Sequence, residues 1–470
     1  MKRFLPSTIQ PGAVAEGSGC PGTVAWPALL PCGVGVSLYG FMALLKAPGA
    51  DLSRHVEWFL FSFSCYLVGV ALVLRAEGRG RLGRPLLPDL ALILGVGLLL
   101  RVLLLATYPS LSDDVFRYIW DGKVRNAGLD PYRYSPSAPE LIPLRDHLWE
   151  GINHKSMVTP YPPAAEAMFA AAYRIAPDTS KAMQLLSGGF DLGILLLLIP
   201  LLTHLRMDPR RVLIYAWNPL IPLQLVHSAH YDGAMILPLL ASLYLLAGGR
   251  RVLSGAALGV SVMVKLVPLV AVPPLAPPLG VGGIVALAVV AGAGLLPWLA
   301  ASGNAGGILS EATDARFNDS AGLVLSRLLG AVSPDPDGAA RSVAAGLLIL
   351  VSILLLAHSW RHNGDPKKPL VSTYRMLGAF ILLNAVVEPW YLTWMVPFLC
   401  FVLMPRPGAA LGWLLLSGSV VLTDLTYLPG GTSAWPWVRA AEYLPLYGLL
   451  ALEAGRRGAR LLPRLRERRF

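Results

Sequence analysis

Long apolar stretches, broken by short polar loops, repeat along this chain from residue 27 to residue 453. They fall near 27–46, 57–74, 89–108, 181–204, 212–228, 232–248, 252–278, 281–300, 338–357, 371–387, 390–404, 409–427 and 438–453. A helix of about 20 residues, rising about 1.5 Å per residue, crosses a hydrocarbon core about 30 Å thick. The pattern predicts an all-α polytopic membrane protein with about 12–14 transmembrane helices. No polar stretch is long enough to fold as a soluble domain alone, so 1–470 is read as one integral-membrane unit.

The run 252–278, "VLSGAALGVSVMVKLVPLVAVPPLAPP", carries Lys265 and Pro268 at its middle. A single crossing would put the loop "HSWRHNGDPKKP" and the basic tail 455–470 outside. A hairpin turning back near Lys265 and Pro268 puts both inside, and is the reading adopted. A polar break at membrane depth survives where protein or a water-filled cavity covers it.

The polar stretch 109–180 departs from this rhythm and reads as a long outer loop with two interfacial helices. Ser112 is placed to cap the first, with Asp113 in its first turn. Phe116, Trp120 and Val124 share one side of it, and Asp114, Arg117 and Asp121 another. Gly128 and Asp130-Pro131 stop it. "YPPAAEAMFAAAYRIA" is too short and alanine-rich for a span and reads as the second.

Composition agrees with the pattern: 55% of residues are hydrophobic and 14% charged. The net charge of +11 lies in short loops such as "RAEGRGRLGR" and in the tail "GRRGARLLPRLRERRF". By the positive-inside rule these face the cytoplasm, which places the chain in the inner membrane with 109–180 outside. Nucleic acid is not an expected partner; the lipid bilayer is. Cys20, Cys32, Cys65 and Cys400 show no metal spacing and read as packing residues. The N-terminus has no apolar core directly behind its charges and does not read as a signal peptide.

The charge in "SDDVFRYIWDG" at a membrane surface calls for a reason. The outer loop also carries Arg117, Lys123, Arg125, Arg133, Arg145 and Lys155, which suggests an anionic ligand, a lipid phosphate being the simplest. Arg117, Arg125 and the intramembrane Lys265 are the candidate phosphate ligands. Asp113 and Asp114 are candidates for a base that takes a proton from an attacking hydroxyl. Tyr118, Trp120, Asp121 and Tyr161 in the loop, with His227, His230, Asp232, Glu388, Trp390 and Tyr391 at other outer turns, are candidate substrate contacts. Asp424 lies near the outer end of another span. The blander reading of Asp114, Arg117 and Asp121 is a set of ion pairs on a solvated face.

"SDDVFRYIWDGKVRNAGLDPYRYSP", "TYPPAAEAMF", "WNPLIPLQLVHSAHYDG", "VMVKLVPL" and "EPWYLTWMVPF" occur in an order that resembles the GT-C superfamily of glycosyltransferases. The nearest likeness is to the bacterial polyprenol-phosphate-mannose-dependent mannosyltransferases, over about residues 89–453. The resemblance implies a sugar donor on a polyprenyl phosphate, with the acidic motif falling on Asp113 and Asp114. Two spans precede the one that bears the acidic loop, and no large C-terminal soluble domain follows, which argues against an oligosaccharide donor. The implied activity is inverting transfer of a hexose, mannose by likeness, to an outer-face glycolipid or glycan hydroxyl. No nucleotide-cradling loop is present and no cofactor is expected. Paired carboxylates can hold a divalent metal ion, but a monophosphate leaving group beside several cations makes one unnecessary. The rival reading is a transporter or flippase of polyprenyl-linked sugars; a non-enzymatic assembly subunit leaves the acidic stretch unexplained. The acceptor, and which aspartate is the base, stay open.

Overall fold

The structure is a computed structural model, described over residues 26–46, 51–77, 86–302, 316–361, 364–428 and 435–467. Cys20, the N-terminal segment, most of "RAEGRGRLGR", part of the 302–337 loop, part of "YLPGGTSAWPW" and the last tail residues lie outside the described residues.

The described residues are helical, with no named strand. The helices are α1 (Trp26–Leu45), α2 (Leu52–Glu77), α3 (Leu86–Leu105), α4 (Asp114–Asn126), α5 (Pro163–Ile175), α6 (Lys181–His204), α7 (Asp232–Ala247) and α8 (Arg251–Val264). After them come α9 (Val272–Ser302), α10 (Ala321–Leu329), α11 (Pro336–Arg361), α12 (Lys368–Leu383), α13 (Val396–Val402), α14 (Ala409–Ser419) and α15 (Trp435–Glu467). Seven helical segments among the described residues are long and apolar enough to cross a membrane, or eight if one pair bent by 119° is counted as a span. That is below the expected 12–14, because several apolar runs are built from short pieces. The run 212–228 is a chain of brief helical turns ending in a π-helical turn, Leu223–His227. The bend follows it and leads into α7.

The run 252–278 is a hairpin. Ser254 bonds Ser242 at 2.9 Å and Ser261 donates to the Met235 carbonyl at 2.7 Å, so α8 runs antiparallel to α7. The chain then returns through the turn Val267–Ala271 and the first part of α9 to Gly280, beside the Arg251 guanidinium. Gly280, at φ 62° and ψ −178°, breaks the helix with a backbone that suits glycine alone. Beyond it the register advances in step with α8: Gly255 lies against Gly283, Gly259 against Val290, Met263 against Gly294. A Cβ on Gly255 would fall 1.9 Å from the Gly283 carbonyl oxygen, so only glycine permits that approach.

Three polar networks, two of them buried, hold the bundle in register. Midway, Arg101 on α3 makes two bonds to Asp191 on α6, at 2.6 and 2.9 Å, and reaches the Gly97 and Ala216 carbonyls. Tyr215 donates to the same Asp191 at 2.6 Å. At one end of the bundle Arg210 joins Asp208 and Asp89, while Arg211 joins Glu77 and the Cys400 and Leu403 carbonyls. At the other end Lys181 bonds the carbonyls of Leu105 and Thr107, closing α3 and α6 beneath the 109–180 segment. Each network spends its polar atoms on partners, as a low-dielectric interior requires.

Candidate active site

Helix α4 starts one residue later than its sequence suggested: Asp113 is the flanking residue and Asp114 the first helical one. Ser112 still serves the end, its Oγ accepting the Asp114 N–H at 3.3 Å. Trp120 and Val124 pack into a small loop core with Leu141 and Ile152, with Phe116 beside them. On another side Gly122 presses on α5, where a Cβ would stand 2.4 Å from the Phe169 carbonyl oxygen. These contacts fix α4 between the loop and α5 and leave its N-terminal end at the mouth of the bundle.

Asp113 and Asp114 share one donor there. The Asn153 amide gives 2.8 Å to Asp113 Oδ1 and 3.4 Å to Asp114 Oδ1. The other Asp114 oxygen accepts the Tyr118 hydroxyl at 3.3 Å and lies 3.8 Å from His230 Nδ1. Asp113 is exposed, whereas the Asp114 side chain is 21% exposed. His230 is buried and stacks on Trp390 with ring centroids 4.0 Å apart. It is delivered by the π-helical turn and by Ala229, held at φ 59°, a conformation an alanine adopts only under constraint.

Lys265 caps α8 and closes the floor. Its ammonium pairs with Asp232 Oδ1 at 2.7 Å, and the same oxygen accepts the Trp394 indole N–H at 2.6 Å. It also stands 5.2, 5.3 and 5.1 Å from the ring centres of Tyr231, Tyr391 and Trp394, a cation in an aromatic cage. Tyr231 continues into a cluster with Tyr118, Tyr161 and Phe169, which links the cage to α4. At the rim, Tyr427 lies within electrostatic reach of Glu388, Asp424, Asp113 and Asp114.

Other candidates sit elsewhere. Arg117 is buried and holds both Asp121 oxygens at 3.0 Å, against Glu166, whose Oε1 accepts the Thr159 hydroxyl at 2.7 Å. Burial, and then the neighbouring Asp121 charge, push the Glu166 carboxyl well above its usual range; burial also raises Asp121, against the pull of Arg117. The Arg117–Asp121 pair is therefore buried and not on a solvated face. Arg125 is exposed and acts on Tyr132 and Glu166, and Trp120 belongs to the loop core. His227 bonds Thr107 at 2.6 Å and accepts the Ser110 N–H at 3.3 Å, which holds the entry to the acidic loop.

Sequence reasoning missed Asn153, Tyr231 and Trp394. The last two lie inside motifs already singled out, "HYDG" and "PWYLTW". Asn153 sits in irregular backbone beside His154 at φ 44°, with no pattern to mark it. Among the described residues no group of three or more His, Cys, Asp or Glu is arranged to hold a metal.

Among the described residues the chain is helical, with seven or eight helical segments long and apolar enough to cross a membrane, which defines it as an all-α polytopic membrane protein. The family described as alpha-(1->6)-mannopyranosyltransferase, N-terminal domain, matches residues 22–279, more than half the chain, and the chain belongs to that family. Comparison with curated proteins and with solved structures gives no match. The protein is thus an integral-membrane glycosyltransferase of a mannosyltransferase family, with mannosyl transfer as its function, a sugar donor and a glycan acceptor.

Proposed function

We propose that the protein transfers mannose from a polyprenyl monophosphate to a hydroxyl of a glycan or glycolipid acceptor, on the outer face of the inner membrane and with inversion at the anomeric carbon. The observation that carries this reading is the aspartate pair on one amide donor, opening beside His230 and the caged Lys265. An aspartate takes the acceptor hydroxyl proton as the oxygen bonds to the anomeric carbon. The bond from that carbon to the phosphate oxygen breaks on the opposite face, and the phosphate leaves as an anion.

Lys265 is the cation best set to stabilise that leaving group, since the aromatic cage and Asp232 hold it in place before the reaction. Arg117, turned to Asp121, is left to position α4. The aromatic cluster around Tyr231 offers an apolar wall to the sugar or the first prenyl unit. No nucleotide or other cofactor enters the scheme.

Purified protein, radiolabelled mannosyl polyprenyl phosphate and extracted membrane glycolipids test it. Labelled glycolipid with the anomeric configuration inverted is the expected product. A sugar lipid carried across vesicles without transfer would replace the enzyme reading with the transporter one.

A further inference from the structure

The end of the bundle away from the aspartate pair carries a cavity of about 150 Å³. It lies where the α7–α8 turn, the first part of α9, the end of α11 and the start of α12 meet. Gly249, Arg251, Pro278, Ser359, Asp365 and Lys368 are among the residues that line it. Helix α7 has 16 residues, so the cavity is about 24 Å from Asp232 along that helix. Tyr244, in the last turn of α7, meets His204 with ring centroids 5.9 Å apart, which is the end that holds Arg210 and Arg211. The loops at this end, "GGRR" and "DPKKP", are basic, as cytoplasmic loops are.

Two turns build the cavity. Gly249, at φ 75°, turns the chain from α7 into α8 and sets Arg251 at the start of α8. Gly280, at φ 62°, turns the chain inside α9 and brings it under Arg251, whose Nη1 lies 3.6 Å from where a Cβ would stand. Lys368 opens α12 from the other side. Neither Arg251 nor Lys368 pairs with a carboxylate among the described residues. The acid in the lining, Asp365, turns Oδ1 to the Lys367 backbone N–H at 2.9 Å. Arg250 and Lys367, both exposed, add to the positive field.

An arginine and a lysine that converge on one cavity without anionic partners suit a phosphate group. One water takes roughly 10–15 Å³ of such space, so a phosphate with its oxygens fits. The surroundings say what carries it. Val252 follows Arg251, Val281 follows Gly280 and Trp360 follows Ser359, and all three side chains are exposed. An exposed tryptophan and valines beside basic loops mark the boundary between hydrocarbon and headgroups. A lipid phosphate can meet Arg251 and Lys368 while its acyl chains lie along Val252 and Val281. A free phosphate gains nothing from that apolar surface.

We propose that this cavity binds the phosphate of an anionic bilayer lipid, a phospholipid that takes no part in the chemistry and sits at the opposite end of the bundle from it. The inference stands apart from the transferase reading.

The experiment places the purified full chain in phosphatidylcholine nanodiscs with or without phosphatidylglycerol. Retained lipid is counted by native mass spectrometry, and the melting temperature is read beside it. The wild type is expected to retain phosphatidylglycerol over phosphatidylcholine and to melt higher in its presence. Arg251→Gln and Lys368→Gln should each weaken retention about fivefold, with the melting temperature in phosphatidylcholine unchanged. Arg406→Gln removes an exposed charge at the same end but outside the cavity, and should change nothing. One measurement needs no variant: phosphatidylglycerol should shield Lys368 of the wild type from an amine-acylating reagent, and phosphatidylcholine should not. Equal acylation of Lys368 in the two lipids, or undiminished retention in folded Arg251→Gln and Lys368→Gln, would overturn the proposal. So would an equal loss in Arg406→Gln, which is the mark of general surface attraction. Inorganic phosphate bound through Arg251 with no preference among lipids would overturn the lipid as its source.

Discussion

Asp113 and Asp114 differ in what surrounds them, and their substitutions should differ accordingly. Asp113→Asn and Asp114→Asn remove a proton acceptor at almost constant volume. Loss of a general base costs about 10²- to 10⁴-fold in rate. At least one of the two should fall by that much in kcat while donor KM holds; near-wild-type transfer by both would move the base elsewhere. Lys265→Met should raise the donor KM about tenfold or more. It also strips the buried Asp232 of a partner, so its melting temperature must be measured beside the kinetics. An unchanged donor KM in folded Lys265→Met would leave Lys265 a structural role. The acidic pair was legible because charge beside an apolar run is costly and local. The identity of its donor was not: Asn153 lies forty residues along the chain from Asp113, in a loop without periodicity.

Helix α4 was legible as an element from its apolar spacing and its stop signals, and its polar stripe was legible as a stripe. What the stripe faces was not. Asp114 turns to the site, while Arg117 and Asp121 turn under the helix to Glu166 on α5. That burial has a consequence in pH. Burial raises the Glu166 carboxyl above its unfolded value of about 4.5, so its contribution to stability is full below that pH and falls as pH rises past it. As pH rises from about 5 the wild type should lose melting temperature, and Glu166→Gln, neutral throughout, should lose less. Parallel slopes for the two proteins would show that Glu166 is ionised in the fold.

Across the whole molecule, the Arg101–Asp191–Tyr215 network joins α3 and α6 to the turn before the π-helical segment. Removing one partner leaves an uncompensated buried charge, so Arg101→Met or Asp191→Leu should each cost about 3–5 kcal/mol in unfolding measurements. The double change should cost less than the sum of the two, and additive losses would mean the groups do not act as a pair. The proposed sidedness is testable at the same scale. A cysteine placed at Ser137 should react with an impermeant reagent from the outer side of intact cells, and labelling from the cytoplasmic side alone would invert the topology.

Hydropathy is a local, one-dimensional property, and it determined what depends on it alone: the membrane class, the long polar segment 109–180, the hairpin at Lys265 and the place of the acidic pair. Among the described residues it read more membrane-length helices than form, because an apolar run reads the same whether it forms one straight helix or the broken turns of 212–228. The tertiary structure decided which polar groups meet. Lys265 finds Asp232 from 33 residues away and Trp394 finds it from 162, distances over which no periodicity carries information. Which partner a given charge meets follows from the rotation of its helix against its neighbours, which packing sets, and that is why Arg117 and Lys265, alike in the sequence as cations near an acidic stretch, end one against Asp121 and the other against Asp232 in an aromatic cage.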